Sequence, residues 1–186
     1  MSSTPAGTPF PFAMPAPAGP VTVFSTEQVA EAVALSRQSP RGRIVRPYHP
    51  TAVDSLHRML NALQPHTYVQ PHRHSAPPKA ETLVVLQGAI GCAIFNETGT
   101  VEAMHVLGPN RRTFGIDIHA GVFHTFVALE PDTVVFEVKN GPYEKVSDKD
   151  FAPWAPREGA PGAPEYLAQL VRLCAKPTAG GNSFAP

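Results

Sequence analysis

The sequence predicts a mainly β domain, a sandwich or barrel of short strands, with short helices before it and near its C-terminus. Two observations predict it. From Thr67 onward, apolar and polar residues alternate in short runs, at residues 67–72, 81–95, 101–107, 114–118, 122–129 and 133–139, which is the two-residue period of strands. Turn chemistry separates the runs: Glu97-Thr98-Gly99, Gly108-Pro109-Asn110, Ala120-Gly121, Pro131-Asp132 and Asn140-Gly141-Pro142. Short strands at such spacing build all-β architectures.

Taken in order, residues 1–22 form a Pro/Ala-rich segment with little to bury, expected to be disordered. Ser25-Thr26-Glu27-Gln28 reads as a capping box. The helix it opens carries Val29 and Val33, flanked by Ala30 and Ala34, and ends before Ser39-Pro40. Arg37, Arg41, Arg43 and Arg46 follow closely; they read as a solvated basic arm or as an anion clamp. Val53, Leu56, Leu60 and Leu63 recur at helical spacing behind Thr51-x-x-Asp54, so a second helix is expected over 51–63. After the strands, the run 148–156 is expected to pack Phe151 and Trp154 over the barrel. A last amphipathic helix over 165–173 presents Leu167, Leu170 and Val171. One domain is expected over 23–170, with a frayed end over 171–186.

The chain has 186 residues, enough for one domain with a core. Its 15 Lys+Arg balance 15 Asp+Glu, so no strong field draws it to nucleic acid or an anionic membrane. No apolar run is long enough for a membrane span and no secretory signal is evident, so a soluble, cytoplasmic protein is expected. Cys92 and Cys174 read as free thiols of a reducing compartment or as small buried apolar residues.

The chemistry lies in Pro71-His72-Arg73-His74, Glu81 and His124. Residues at i and i+2 of a strand share a face, so His72 and His74 point the same way. Glu81 opens the next apolar run, and His124 sits in a later one behind Gly121. Three imidazoles and a carboxylate are a ligand set for one divalent transition metal, with Fe, Zn, Ni and Mn all acceptable. An octahedral ion so held would keep two positions open for water, oxygen or substrate. The alternative for His124 is a hydrogen-bonded core histidine.

These residues, with Gly88 and Gly121-x-x-His124, resemble the two sequence motifs of the cupins. That resemblance implies a double-stranded β-helix, a jelly-roll barrel with metal at its centre. Further stretches are similar to the WbuC-family cupin fold metalloproteins: Arg58-Met59-Leu60-Asn61-Ala62-Leu63, Pro71-His72-Arg73-His74, Phe136-Glu137-Val138-Lys139-x-Gly141-Pro142-Tyr143, and the run from Asp148 through Trp154 to Glu158. The resemblance spans roughly residues 40–170. It implies association with surface-polysaccharide (O-antigen, lipopolysaccharide) gene clusters. Cupins that this chain resembles often pair through their sheets, so a homodimer is one expectation, and the sequence leaves the oligomeric state open.

Around the metal, Tyr68 and Gln70 share strand parity with the histidines, so they line the cavity or simply fill the barrel. Glu137 and Lys139 share a face. If that face is interior, Glu137 could act as general base and Lys139 as an anion partner; otherwise both meet solvent. Tyr143 could close the mouth and donate a proton, or be a packed surface residue. Arg58 is a further candidate substrate contact. The expected substrate is a small polar molecule, anionic or sugar-like, such as a sugar nucleotide. A metal-dependent isomerase or epimerase, an iron-dependent dioxygenase, a non-catalytic metal-bearing binding module and a closed structural zinc site are the readings this pattern allows.

Overall fold

Ser25 caps the first helix: its Oγ accepts the Gln28 amide at 3.4 Å, and α1 runs Thr26–Gln38. The buried stripe is Ala32, Val33 and Ser36, with Val29 partly buried; Ala30 and Ala34 face solvent. Ser39 turns extended before Pro40 and ends the helix. The computed structural model describes residues 9–175; residues 1–8 and 176–186, and with them parts of the expected disordered and frayed ends, lie outside the described residues. Within the expected disordered segment, Ala13 bridges Val45 and Met14 is buried beside α1.

Ten strands follow: β1 Arg43–Pro47, β2 Leu56–Leu63, β3 His72–Arg73, β4 Glu81–Gln87, β5 Ile90–Phe95, β6 Val101–Leu107, β7 Gly115–Ile118, β8 Phe123–Ala128, β9 Thr133–Asn140 and β10 Asp150–Phe151. The chain closes with α2, Ala163–Cys174. The strands form two antiparallel five-stranded sheets, ordered β1-β2-β9-β4-β7 and β10-β3-β8-β5-β6. Their inner faces share one core, with Leu63, Leu83, Val85 and Val135 from the first sheet and Ile90, Cys92, Phe126 and Ala128 from the second. This is the jelly-roll barrel, the double-stranded β-helix.

Each helix covers an outer face. Ala32 and Val33 of α1 pack on Ile44, Leu60, Ala62 and Val134 of the first sheet. Leu167 and Leu170 of α2 pack on Ala93, Phe95, Phe123 and Val127 of the second. A fully buried side chain such as Leu60 contributes about 1.5–3 kcal/mol. Trp154 lies over Phe95 and Phe123, as the tail predicts, whereas Phe151 is half exposed. No helix of the described residues is long and apolar enough to cross a membrane.

Several expectations are corrected. Residues 51–63 are not a helix. Asp54 Oδ2 accepts the Thr51 amide and hydroxyl in a turn, and β2 follows. Both faces of β2 are covered, so its apolar residues fall on both, and Leu56, Leu60 and Leu63 mimic a helical stripe. The arginine run is neither a free arm nor an anion clamp. Arg37 pairs with Asp132, Arg41 and Arg43 with Glu158, and Arg46 with Glu31. The single run 81–95 divides at Gly88, which has φ 71°; a Cβ there would collide with Thr133 Oγ1. Only His72 and Arg73 of the run from residue 67 join a ladder, because Pro71 has no amide to donate.

Candidate metal centre

His72 and His124 stand side by side because β3 pairs β8 at that register. Glu81 reaches them from the other sheet, where it opens β4 opposite Lys139 of β9. His74 follows β3 into a loop that Gly121 fixes, its amide donating to the His74 carbonyl at 3.0 Å. Gly121 sits at φ 82°, a conformation that favours glycine. The site therefore spans the gap between the two sheets. His72, His74 and Glu81 are 2–3% exposed and His124 is 1% exposed.

The three imidazoles each offer a ligand nitrogen within 4.8 Å of the others and could hold a metal ion. Glu81 reaches two of them: Oε1 lies 2.8 Å from His124 Nε2, and Oε2 lies 3.2 Å from His74 Nε2. The second ring nitrogens define the protonation pattern. His72 Nδ1 faces the Gln70 carbonyl at 2.9 Å, His124 Nδ1 faces that of Val122 at 2.8 Å, and His74 Nδ1 faces that of Asp148. A carbonyl can only accept, so each Nδ1 carries the proton and, in a neutral ring, each Nε2 is a bare lone pair. His74 Nε2, His124 Nε2 and Glu81 Oε1 are buried with no hydrogen-bond partner. The 2.8 and 3.2 Å approaches are thus close but not aligned as hydrogen bonds. Bare nitrogens and a carboxylate oxygen, orphaned together in a dry interior, fit a cation.

Electrostatics agree. Burial, with the charge of Lys149 adding to it, pushes the His72 imidazole well below its ordinary value, which keeps it neutral. Burial would raise the Glu81 carboxyl; His124 and His74 hold it well below the carboxylate range when they carry a proton on Nε2, the role a cation takes in their place. Glu137 behaves oppositely: burial and the nearby Glu81 charge raise it, against Lys139, Lys149 and Asn61.

Of the other candidates, Glu137 and Lys139 lie on the inner face, 8% and 6% exposed. Asn61 Nδ2 donates to Glu137 Oε2 at 2.8 Å. Lys139 Nζ donates to Asp148 Oδ2 at 2.9 Å, while Lys79 Nζ donates to Asp148 Oδ1 at 3.0 Å. Gln70 is buried and supplies the carbonyl for His72. Two expectations do not hold. Tyr68 is not beside the histidines: its hydroxyl donates to the Pro156 carbonyl at 2.8 Å and its ring meets the edge of Tyr166 beneath α2. Parity fails because residues 67–71 are not a regular strand. Arg58 lies on the outer parity of β2, with Leu60 and Ala62 under α1, and bonds the Tyr48 carbonyl. Tyr143 is 46% exposed, its amide bonded to the Ala52 carbonyl. Asn61, Lys79 and Asp148 bond Glu137 and Lys139 or each other here, roles the sequence did not mark. Strand parity along β2 puts Asn61 inside with Leu63 once that strand is recognised; Lys79 and Asp148 sit in loops, where no period marks them.

A family described as "Domain of unknown function (DUF6016)" matches residues 24–107. No curated protein matches the chain. Among solved structures, a single-site variant of the oxalate decarboxylase of Bacillus subtilis is 20% identical with a TM-score of 0.45, over 57% of this chain and 27% of that one. KdgF from Halomonas sp. is 20% identical with a TM-score of 0.43, over 56% and 82%. The capsular polysaccharide assembling protein CapF from Staphylococcus aureus is 17% identical with a TM-score of 0.48, over 57% and 28%. This chain thus spans about a quarter of the oxalate decarboxylase and of CapF.

Proposed function

We propose that the protein is a metal-dependent enzyme acting on a small polar molecule, a sugar or sugar nucleotide, with His72, His74, Glu81 and His124 holding one divalent transition metal. The observation that carries this reading is the set of orphaned atoms: His74 Nε2, His124 Nε2 and Glu81 Oε1 converge, buried and unbonded, while every Nδ1 is tied to a carbonyl. When bound, such a metal acts as a Lewis acid that polarises a substrate oxygen. The protein's own groups do the rest. Backbone carbonyls fix the three rings, and the apolar inner faces exclude water. Glu137, raised by burial and oriented by Asn61, can take and hold a proton as general base. The motif resemblance to the WbuC family supports a place in surface-polysaccharide biosynthesis.

The test is elemental analysis of protein purified without chelator, beside a His72→Ala/His124→Ala double variant. About one equivalent of a single transition metal, lost in the variant, is expected. A wild type that stays folded, contains no metal and takes none up would overturn the reading. Saturable binding of a sugar nucleotide by metal-loaded protein, with no product on long incubation, would make the protein a binding module instead.

A further inference from the structure

Three lysines approach the barrel interior, and two are engaged. Lys79 and Lys139 share the carboxylate of Asp148, one on each oxygen, and Lys79 also donates to the Pro142 carbonyl. Lys149 has no ion-pair or hydrogen-bond partner for its ammonium among the described residues, although it is only partly exposed. Its direction follows from the ladder. β10 pairs β3 with Asp150 opposite Arg73 and Phe151 opposite His72. Asp150 turns outward, its Oδ2 accepting Arg73 Nε at 2.7 Å. The residue before it therefore faces inward, at the level of His74. The carbonyl of the preceding residue, Asp148, accepts from His74 Nδ1, which holds the Lys149 backbone beside that ring. Phe151, on the same face and half exposed, meets the His72 ring at 6.2 Å between centroids. A free cation and an apolar ring thus sit together on an edge strand beside the histidines.

Charge balance adds a second line. The carboxylates of Glu81, Glu137 and Asp148 are matched by the ammoniums of Lys79, Lys139 and Lys149. Three neutral imidazoles and a divalent ion would leave this set with two positive charges in excess, inside a barrel where unbalanced charge is costly.

We propose that Lys149 is the specificity-determining residue of the site and receives an anionic group of the substrate, a carboxylate or a phosphate, beside the histidine cluster. The substrate class is then a small anion rather than a neutral sugar. This rests on the metal-centre reading for its charge excess, while the position of Lys149 stands apart from it.

The experiment measures binding of malonate and of inorganic phosphate, each by titration calorimetry, to wild type, Lys149→Met and Lys149→Arg, with metal content and thermal unfolding recorded for every sample. At least one anion is expected to bind wild type, to weaken about tenfold or more in Lys149→Met, the worth of a charge-assisted hydrogen bond, and to recover in Lys149→Arg. Metal content should stay at the wild-type value and both variants should remain folded. The two anions distinguish a carboxylate substrate from a phosphate one. Equal anion affinity in wild type and Lys149→Met, or no binding of either anion to folded wild type, overturns the proposal. A metal-free wild type whose anion binding still depends on Lys149 would sink the metal reading and keep this one.

Discussion

Nε2 of His124 lies 2.8 Å from Oε1 of Glu81, and both side chains are buried. The imidazole proton is spent on the Val122 carbonyl, so the two atoms that face each other are both acceptors. Without a cation the pair is repulsive unless the ring takes a second proton. Metal should therefore stabilise the fold strongly. At a hundredfold excess over Kd a ligand adds about 2.7 kcal/mol, which for a chain of this length is about 5–10 °C in Tm. Calorimetry with and without chelator should show that gap in wild type and close it in His72→Ala/His124→Ala. A chelator-insensitive Tm in a metal-loaded wild type would contradict it.

Acid should weaken the metal-free fold through His72. Burial, then Lys149, holds this ring well below 6.5 in the folded state, while the unfolded chain titrates near 6.5. As pH falls below about 6.5, the unfolded state takes up a proton that folded His72 refuses, so stability drops until the depressed folded value is reached. One such group gives at most about 1.4 kcal/mol per pH unit. Glu81, held below its ordinary 4.5 despite burial, loses its own contribution only at lower pH. Melting of chelated protein from about pH 7.5 to about pH 5, a window that spans the ordinary imidazole value, should show the decline, and His72→Gln should flatten it. Parallel slopes in the two proteins would remove His72 as the cause.

Tyr68 should affect stability and leave metal content alone. Its hydroxyl bonds the Pro156 carbonyl in the layer under α2, away from the histidines. Tyr68→Phe should cost about 1 kcal/mol, the net worth of a buried neutral hydrogen bond. Metal stoichiometry by elemental analysis should equal wild type. Loss of metal in this variant would place the ring at the site after all.

What the sequence made legible follows from its periods. β6 Val101–Leu107 and the inward histidines of β3 and β8 could be read because turn residues bound these short runs and because His72 and His74 stand two apart. β2 could not, because α1 covers the face that carries Leu60 and Ala62 while the barrel covers the face that carries Asn61 and Leu63. With apolar residues on both faces, alternation disappears and a helical spacing emerges by accident. The role of Asp148 could not be read for another reason. Its role is a long-range one, set by where the chain returns after Asn140, and no local pattern encodes that return.

Asp148 provides the sharpest test of how the barrel mouth is held. Its two carboxylate oxygens take Lys139 at 2.9 Å and Lys79 at 3.0 Å, and its own carbonyl takes the His74 Nδ1 proton. Burial would raise its pKa, but the two ammoniums hold it below the carboxylate range. Asp148→Ala leaves buried Lys79 without a counter-charge and Lys139 with only Glu137, at 3.9 Å, which costs about 3–5 kcal/mol. The cost belongs to the stranded lysines and not to the lost contact. Urea unfolding at neutral pH should therefore show a large loss in Asp148→Ala and recovery of most of it in the triple variant Lys79→Met/Lys139→Met/Asp148→Leu, where both ammoniums are gone and Glu137, already raised by burial, can take up a proton. If the triple variant is as unstable as the single one, the aspartate acts by pinning the 141–149 segment through its backbone and not by neutralising the lysines.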